Sequence, residues 1–332
     1  MTYHLDYIQG MGFDAVMISP IVENIEGRVW YGEAYHGYWP VDLHSLNAHF
    51  GTKRDLLDLS DALHARGMYL MMDTVINNTA YMTNGSSPVK SVDYSVLNPF
   101  NSSSYFHPYC EIPDYNNVYS VAQNCWTGDE IVPLPDLKTE NSQVQSMLNK
   151  WIKEMMSTYS IDGLRLDATK HVTPGCLLPS EDAAGSFVSG EVFEQSADII
   201  CDYQSRYISS FPNYPTHYAM LDAFTRGNTT SLALEITNMK QKCPEVTALT
   251  SFSENHDVVR FPSMTDDLAV RFTHIFSYQT LTKKKKKKKQ KSTDKEYEYS
   301  LPKSVLTFTI LFDGIPTIYQ DQEHHLDGAS PP

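Results

Sequence analysis

Four short segments, in order, constrain this chain more than anything else in it: DTVINN at Asp73–Asn78, GLRLDATKH at Gly163–His171, GEVFE at Gly190–Glu194 and SENHD at Ser253–Asp257. Each begins in or follows an apolar or β-branched run and ends in acids, amides or histidine. A buried strand looks this way when it carries polar side chains to its C-terminal mouth. In a parallel α/β barrel that mouth is where the chemistry collects. Asp167, Glu191 and Asp257 would meet there from distant parts of the chain. Three converging carboxylates suit the cleavage of a glycosidic bond.

Strand and helix signals alternate over most of the length. Asp14–Pro20 reads as a buried strand, and Lys53–Arg66 carries Leu56, Leu57, Leu59, Ala62 and Leu63 at helical spacing before Gly67 stops it. Met68–Asn77 is the next strand. From Asn78 to Leu137 the rhythm lapses into Asn, Ser, Pro, Tyr and Gly with no helical period. That is too long for a connection in a compact barrel, so a small inserted domain is expected. The rhythm resumes in Asn141–Tyr159, with Val144, Met147, Leu148, Trp151, Ile152, Met155 and Met156 on one stripe. Further strands are expected at GLRLD, at SGEVF, around His217–Leu221, at LTSFSEN and at GIPTIYQ.

The predicted fold class is therefore α/β, a (β/α)8 TIM barrel with a small inserted domain after the third strand and its first strand missing. The expected segments are barrel at 1–77, inserted domain at 78–137, barrel at 138–270, an atypical Lys-rich insertion at 271–303, and the truncated end of the barrel at 304–332. The insertion holds seven consecutive lysines, Lys283–Lys289. It reads as a solvated, disordered loop or, because it splits a helix from its strand, as non-coding sequence carried into a gene model. A polybasic binding tail is the minor alternative.

At 332 residues the chain is long enough for one barrel-sized domain plus an insertion. Its net charge of −14 argues against nucleic acid or an anionic membrane as partner. No apolar run reaches transmembrane length, and no signal peptide is present. Met1 leads straight into a helix-like stretch and the chain stops soon after GIPTIYQ, so both ends read as truncations of a longer protein. None of the five cysteines forms a CxxC or a Cys/His zinc pattern. Cys110 and Cys125 bracket a turn-rich loop, and Cys201 and Cys243 bracket a helix-like stretch. Two loop-closing disulfides and one odd thiol fit a secreted enzyme, as do sequons at Asn84, Asn101 and Asn228.

The runs LDYIQGMGF, AYHGYW, LHARGMYLMMD, SVDYSVLNPF, YFHPYC, LPDL, YSIDGLRLD, KHV, GEV, ENHD and DGIPTIY follow one another in this order. Together they resemble fungal alpha-amylases of the Taka-amylase type, in the alpha-amylase family of glycoside hydrolases. The likeness covers nearly everything except 271–303. It implies that Asp167 is the nucleophile of a retaining hydrolase, Glu191 the general acid/base, and Asp257 the acid that stabilises the transition state. Arg165, two residues before Asp167 on the same strand face, can hold that carboxyl ionised. The resemblance also gives substrate contacts to His36, Tyr38, Trp39, Lys170, His171 and His256. Asn78 stands where the family usually has His, with shorter reach and no titration.

Calcium is implied in the same way, with Asn77, Asp136 and the backbone carbonyl of His171 as ligands. Gln123 stands where the family has Glu, so weaker calcium binding is expected. The family cysteines match disulfides Cys110–Cys125 and Cys201–Cys243, with Cys176 free. The family's C-terminal β-sandwich is absent from the sequence. The implied activity is endo-acting, retaining hydrolysis of internal α-1,4-glucosidic bonds in starch or glycogen. The implied protein is an extracellular monomer whose partner is an α-glucan polysaccharide, with no nucleic acid and no membrane. The alternatives are an α-glucosidase or a glucan transglycosylase of the same family, or a non-catalytic barrel that binds. Loss of one of the three acids would mark the last, and all three are present.

Overall fold

Eight strands are described in the first unit, and four of them, the first, fourth, seventh and eighth, fall where the expected rhythm places them. The eight are β1 (Ala15–Ile18), β2 (Val22–Asn24), β3 (Pro40–Leu46), β4 (Tyr69–Val75), β5 (Thr127–Gly128), β6 (Pro133–Leu134), β7 (Gly163–Asp167) and β8 (Phe187–Gly190). The computed structural model describes residues 2–115, 119–264 and 300–324, and the chain divides into two units, Met1–Phe193 and Glu194–Pro332.

In the first unit β1, β4, β7 and β8 form one parallel sheet in the order β1-β4-β7-β8. Parallel neighbours need crossovers, and helices Lys53–His64, Ser142–Tyr159 and Pro174–Ala184 lie in those connections. Thr52 and Asp55 close a capping box at the start of the first of these, and Asn141 accepts the amides of Gln143 and Val144 at the start of the second. Val144, Leu148, Trp151, Ile152, Met155 and Met156 are the buried side of Ser142–Tyr159, as the stripe predicts. The Trp151 indole N–H donates to the Leu43 carbonyl at 2.6 Å, tying that helix to β3.

The sheet's register brings the chemistry together. Asp73 pairs with Arg165, Val75 with Asp167, and Arg165 with Ser189. Alternate residues share a face, so Asp73, Arg165, Asp167 and Ser189 point one way, while Met72, Leu164, Leu166 and Val188 fill the other side. Beyond β8 the pairing continues, as the Glu191 amide donates to the Leu166 carbonyl at 2.8 Å.

The second unit holds β9 (Thr250–Ser251) and β10 (Ile315–Pro316), which pair in parallel. Gly314 has φ +113°, and a Cβ there would meet the Leu249 carbonyl oxygen at 2.5 Å, so only glycine admits this start of β10. Ala219, Met220, Ala223, Leu232, Phe261, Leu301 and Val305 form a core cluster.

One strand expected to be buried is not: β1, at the edge of its sheet, has only exposed and half-buried residues. Another expected strand is not a strand. His217–Leu221 lies inside helix Tyr214–Arg226. Asn213 caps this helix through the Thr216 amide, Pro215 occupies its first turn, and Gly227 closes it with φ +77°. The extended pairing comes slightly earlier, at Pro212 against Thr250. The antiparallel β2–β3 pair was not foreseen. Both expected disulfides form, Cys110–Cys125 and Cys201–Cys243, and Cys176 is a buried free thiol. Residues 271–299 of the Lys-rich insertion lie outside the described residues. No helix among the described residues is long and apolar enough to cross a membrane.

Candidate active site

One guanidinium organises the centre of the first unit. Arg165, only 5% exposed, makes ion pairs with Asp73 (Nη1–Oδ2, 2.6 Å), Asp167 (Nη1–Oδ1, 2.9 Å) and Glu191 (Nη2–Oε1, 2.7 Å). Burial opposes its charge, but the fields of Asp73, Glu191 and Asp167 outweigh that and fix the proton on Arg165. Three acids buried without such a cation would repel one another and be strongly disfavoured. Because Asp167 and Glu191 bind adjacent nitrogens, the guanidinium also keeps their carboxyls side by side.

Glu191 has a second anchor. Its Oε2 accepts the Ala168 amide at 3.1 Å, and Ala168 is in the left-handed region with φ +48°. A non-glycine residue there is strained, and strain of this kind collects at functional sites. The turn that aims the Ala168 N–H at Glu191 follows directly on Asp167. Arg165 and the Ala168 amide thus give each Glu191 oxygen its own donor.

The rings sit against this centre. The Tyr38 hydroxyl donates to Asp73 Oδ2 at 2.7 Å, and burial followed by the Asp73 charge holds that phenol far above its ordinary range. Arg165 lies over the Tyr38 ring at 5.9 Å. His36 stacks on Tyr38 at 5.7 Å and takes the Tyr38 amide on Nδ1 at 3.0 Å. Gly37 between them has φ +89°, and a Cβ there would lie 2.7 Å from the Pro20 carbonyl oxygen. Trp39 packs edge-on to His36 at 4.7 Å, and its amide donates to Asn24 Oδ1 at 2.7 Å.

Lys170 is buried and donates through Nζ to the Tyr115 carbonyl. Asn78 is buried and donates to the Thr79 carbonyl at 3.1 Å. Asp257 and His256 belong to the second unit. They pair with each other at 3.3 Å (Nε2–Oδ2), and Asn255 Oδ1 accepts the Asp257 and Val258 amides at 2.8 and 3.0 Å. The structure thus gathers Asp167, Glu191, Arg165, Tyr38 and His36 in the first unit, and His256 with Asp257 in the second.

A second buried cluster follows the end of β4. There the chain from 77 to 84 runs against 131–137: the Leu137 amide donates to the Asn77 carbonyl at 2.8 Å, and the Thr79 amide to that of Pro135 at 3.1 Å. Asn77 and Asp136 are fully buried. Asp136 Oδ2 binds His107 Nδ1 at 2.6 Å, and Glu140 meets the other ring nitrogen at 3.1 Å. Burial pulls His107 toward neutrality, but the hydrogen bonds and charges of Asp136 and Glu140 prevail and raise its pKa. Asp136 Oδ1 and both side-chain atoms of Asn77 have no hydrogen-bond partner. Orphaned buried oxygens are costly, and a hard cation takes such donors. The next stretches of chain adjoin: the Thr173 amide donates to Thr139 Oγ1 at 2.8 Å, and His171 Nδ1 lies 3.0 Å from the carbonyl of Ala122, the neighbour of Gln123.

Asp73 escaped the sequence reading as a site residue, although it opens one of the four segments. Its partners are 35 and 92 residues away, and only the register of β4 against β7 reveals them.

Parallel strands that carry acids past their C-terminal ends to a buried arginine define an α/β chain of the (β/α)8 barrel class with a carboxylate centre. Residues 1–185 match the model of the alpha amylase catalytic domain. Alpha-amylase 2 of Schwanniomyces occidentalis is 42% identical over 330 residues, covering 99% of this chain and 58% of that one. Alpha-amylase 1 of Lipomyces kononenkoae is 43% identical over 330 residues, covering 99% and 47%. An alpha-amylase structure from Malbranchea cinnamomea superposes with a TM-score of 0.85 at 43% identity, covering 99% of this chain and 62% of that one. This chain belongs to the alpha-amylase family. It spans about half the length of the curated relatives it matches.

Proposed function

We propose that the protein performs endo-acting, retaining hydrolysis of internal α-1,4-glucosidic bonds in starch- or glycogen-type glucans. The observation that carries this reading is the pair Asp167 and Glu191, held side by side on buried Arg165 in a chain of this family. In this scheme a carboxylate oxygen of Asp167 bonds to the anomeric carbon while the bond to the leaving oxygen breaks. Glu191 gives its proton to that oxygen. Glu191 then takes a proton from water, the water oxygen displaces Asp167, and the anomeric configuration is retained. Arg165 keeps Asp167 ionised for attack. Asp257 supports the cationic transition state, with His256, His36, Tyr38, Trp39, Asn78, Lys170 and His171 as sugar contacts.

Calcium fits the second cluster. Asp136 supplies a negative oxygen and Asn77 a neutral one, each buried and unpartnered. The His171 carbonyl and Gln123 would complete the set. Bound there, Ca²⁺ would supply structural charge compensation, tying the 78–137 segment, read as an inserted domain, to the sheet. The two disulfides support an oxidising, extracellular setting. Action as a monomer completes the reading.

Incubation with soluble starch tests the activity. Early release of mixed oligosaccharides of retained configuration is the expected result. Glucose alone would point to an α-glucosidase, and longer or rebranched chains to a transglycosylase.

A further inference from the structure

Of the four tryptophans, Trp126 and Trp151 are buried and Trp39 is half-buried, but Trp30 is 82% exposed. Its position is not that of a loose loop. Val29 and Gly32 exchange both backbone hydrogen bonds, at 2.9 and 3.1 Å, so Trp30 and Tyr31 are the two central residues of a closed turn. Gly32 supplies φ +132°. The Tyr31 hydroxyl donates to Asp129 Oδ1 at 3.0 Å, and the same oxygen accepts the Ile131 and Val132 amides at 2.7 and 2.9 Å. Val29 and Val132, on either side, belong to one buried cluster. The turn is pinned at both ends while its largest apolar side chain faces water.

Trp30 is also the last of a continuous series of rings. Tyr38, beside Asp73 and Arg165, stacks on His36 at 5.7 Å. His36 meets Trp39 at 4.7 Å, Trp39 meets Tyr31 at 5.9 Å, and Tyr31 meets Trp30 at 4.9 Å. The series begins at the carboxylate centre and ends at the exposed indole.

Resting on the hydrolase reading, we propose that Trp30 is an outer stacking platform for a distal glucosyl unit of an α-glucan chain, so that the protein favours long glucans over short oligosaccharides. A pyranose offers an apolar face that packs on an aromatic ring, and a ring fixed in advance costs little entropy to engage. An acidic protein with this surface is unsuited to polyanions. Continuity with the carboxylate centre identifies the occupant as the same chain that is cut.

The test uses tryptophan fluorescence and kinetics together. In a Glu191→Gln protein, which keeps the probe intact, maltoheptaose should protect the exposed tryptophan from acrylamide quenching, and maltose should not. Adding Trp30→Ala should remove the quenchable signal and its protection. In the otherwise unsubstituted protein, Trp30→Ala should raise KM for soluble starch up to ~10-fold, more than for a short chromogenic maltotrioside, while Trp30→Tyr restores most of it. Starch hydrolysis without protection, and with equal KM changes on both substrates, would overturn the platform and leave the hydrolase reading standing. Protection by maltoheptaose in a protein that does not cut starch would support the platform and overturn the hydrolase reading. Absence of both would sink the two together.

Discussion

The two buried polar clusters near the C-terminal end of β4 solve the same problem in opposite ways. At Asp73, Asp167 and Glu191 the chain supplies its own cation, and Arg165 answers three acids from within the sheet. At Asn77 and Asp136 the chain supplies one histidine, on one carboxylate oxygen, and leaves the other oxygen and the amide without partners. The first cluster is complete as folded and holds its carboxyls in place. The second has donors to spare, which is how a protein looks where an outside cation completes it. A buried acid therefore does not reveal its role by burial alone; the partners of its second oxygen do.

Removing the internal cation should have the largest effect. Arg165→Leu leaves three acids facing one another and should cost about 3–5 kcal/mol, read as a fall in the urea midpoint, together with loss of hydrolysis. A variant of near-normal stability would show that the acids do not need Arg165.

The second unit offers a third solution, a buried group kept neutral. His217 is 2% exposed, stacks on Phe252 at 4.6 Å, and donates through Nδ1 to the Phe252 carbonyl at 3.3 Å, while its Nε2 has no hydrogen-bond partner among the described residues. Asn213, Thr216, Met220, Ser251, Phe252, Phe308, Thr309 and Phe312 line the same cavity, and none is charged. Burial lowers the His217 pKa from 6.5 to about 4. The unfolded chain then binds a proton that the folded chain refuses, so stability falls as pH drops from about 6.5 toward 4. The loss should approach ~3 kcal/mol at the bottom of that window. His217→Gln should flatten this part of a Tm-against-pH curve; an unchanged slope would assign the acid sensitivity elsewhere.

Calcium sharpens the contrast next. At a hundredfold excess over Kd it should stabilise the protein by about 2.7 kcal/mol, seen as a chelator-reversible rise in Tm that Asp136→Asn abolishes. If Asp136→Asn keeps the full rise, the second cluster is not the site. The smallest effect is that of Gln123→Glu. An added ligand charge should tighten calcium binding by roughly 10-fold in a titration, and an unchanged affinity would remove Gln123 from the ligand set.

Much of the first unit was legible because strands buried on both faces read as near-continuous apolar runs. Met68–Asn77 and GLRLD gave β4 and β7 almost to the residue, and the stripe on Ser142–Tyr159 gave its helix. His217–Leu221 misled because a short apolar stretch does not declare its period; the capping residues Asn213 and Gly227 lay outside the window considered. The β2–β3 pair is held by a three-residue strand with shifted register, too brief to leave a pattern. At the site, Arg165 and Asp167 were readable as neighbours on one strand face. Asp73 and Trp30 were not, since one depends on register between strands and the other on exposure, and neither is written in local sequence.

The central claim is that Asp167 and Glu191, held together by Arg165, divide the work of nucleophile and proton donor. It is tested most directly by mass spectrometry of the Glu191→Gln protein incubated with an activated glucosyl donor whose leaving group needs no proton. The account predicts a covalent sugar on the peptide containing Asp167, accumulating because its hydrolysis lacks a base, and none in Asp167→Asn. A sugar on any other residue, or starch hydrolysis at near-normal rate by Asp167→Asn, would contradict it.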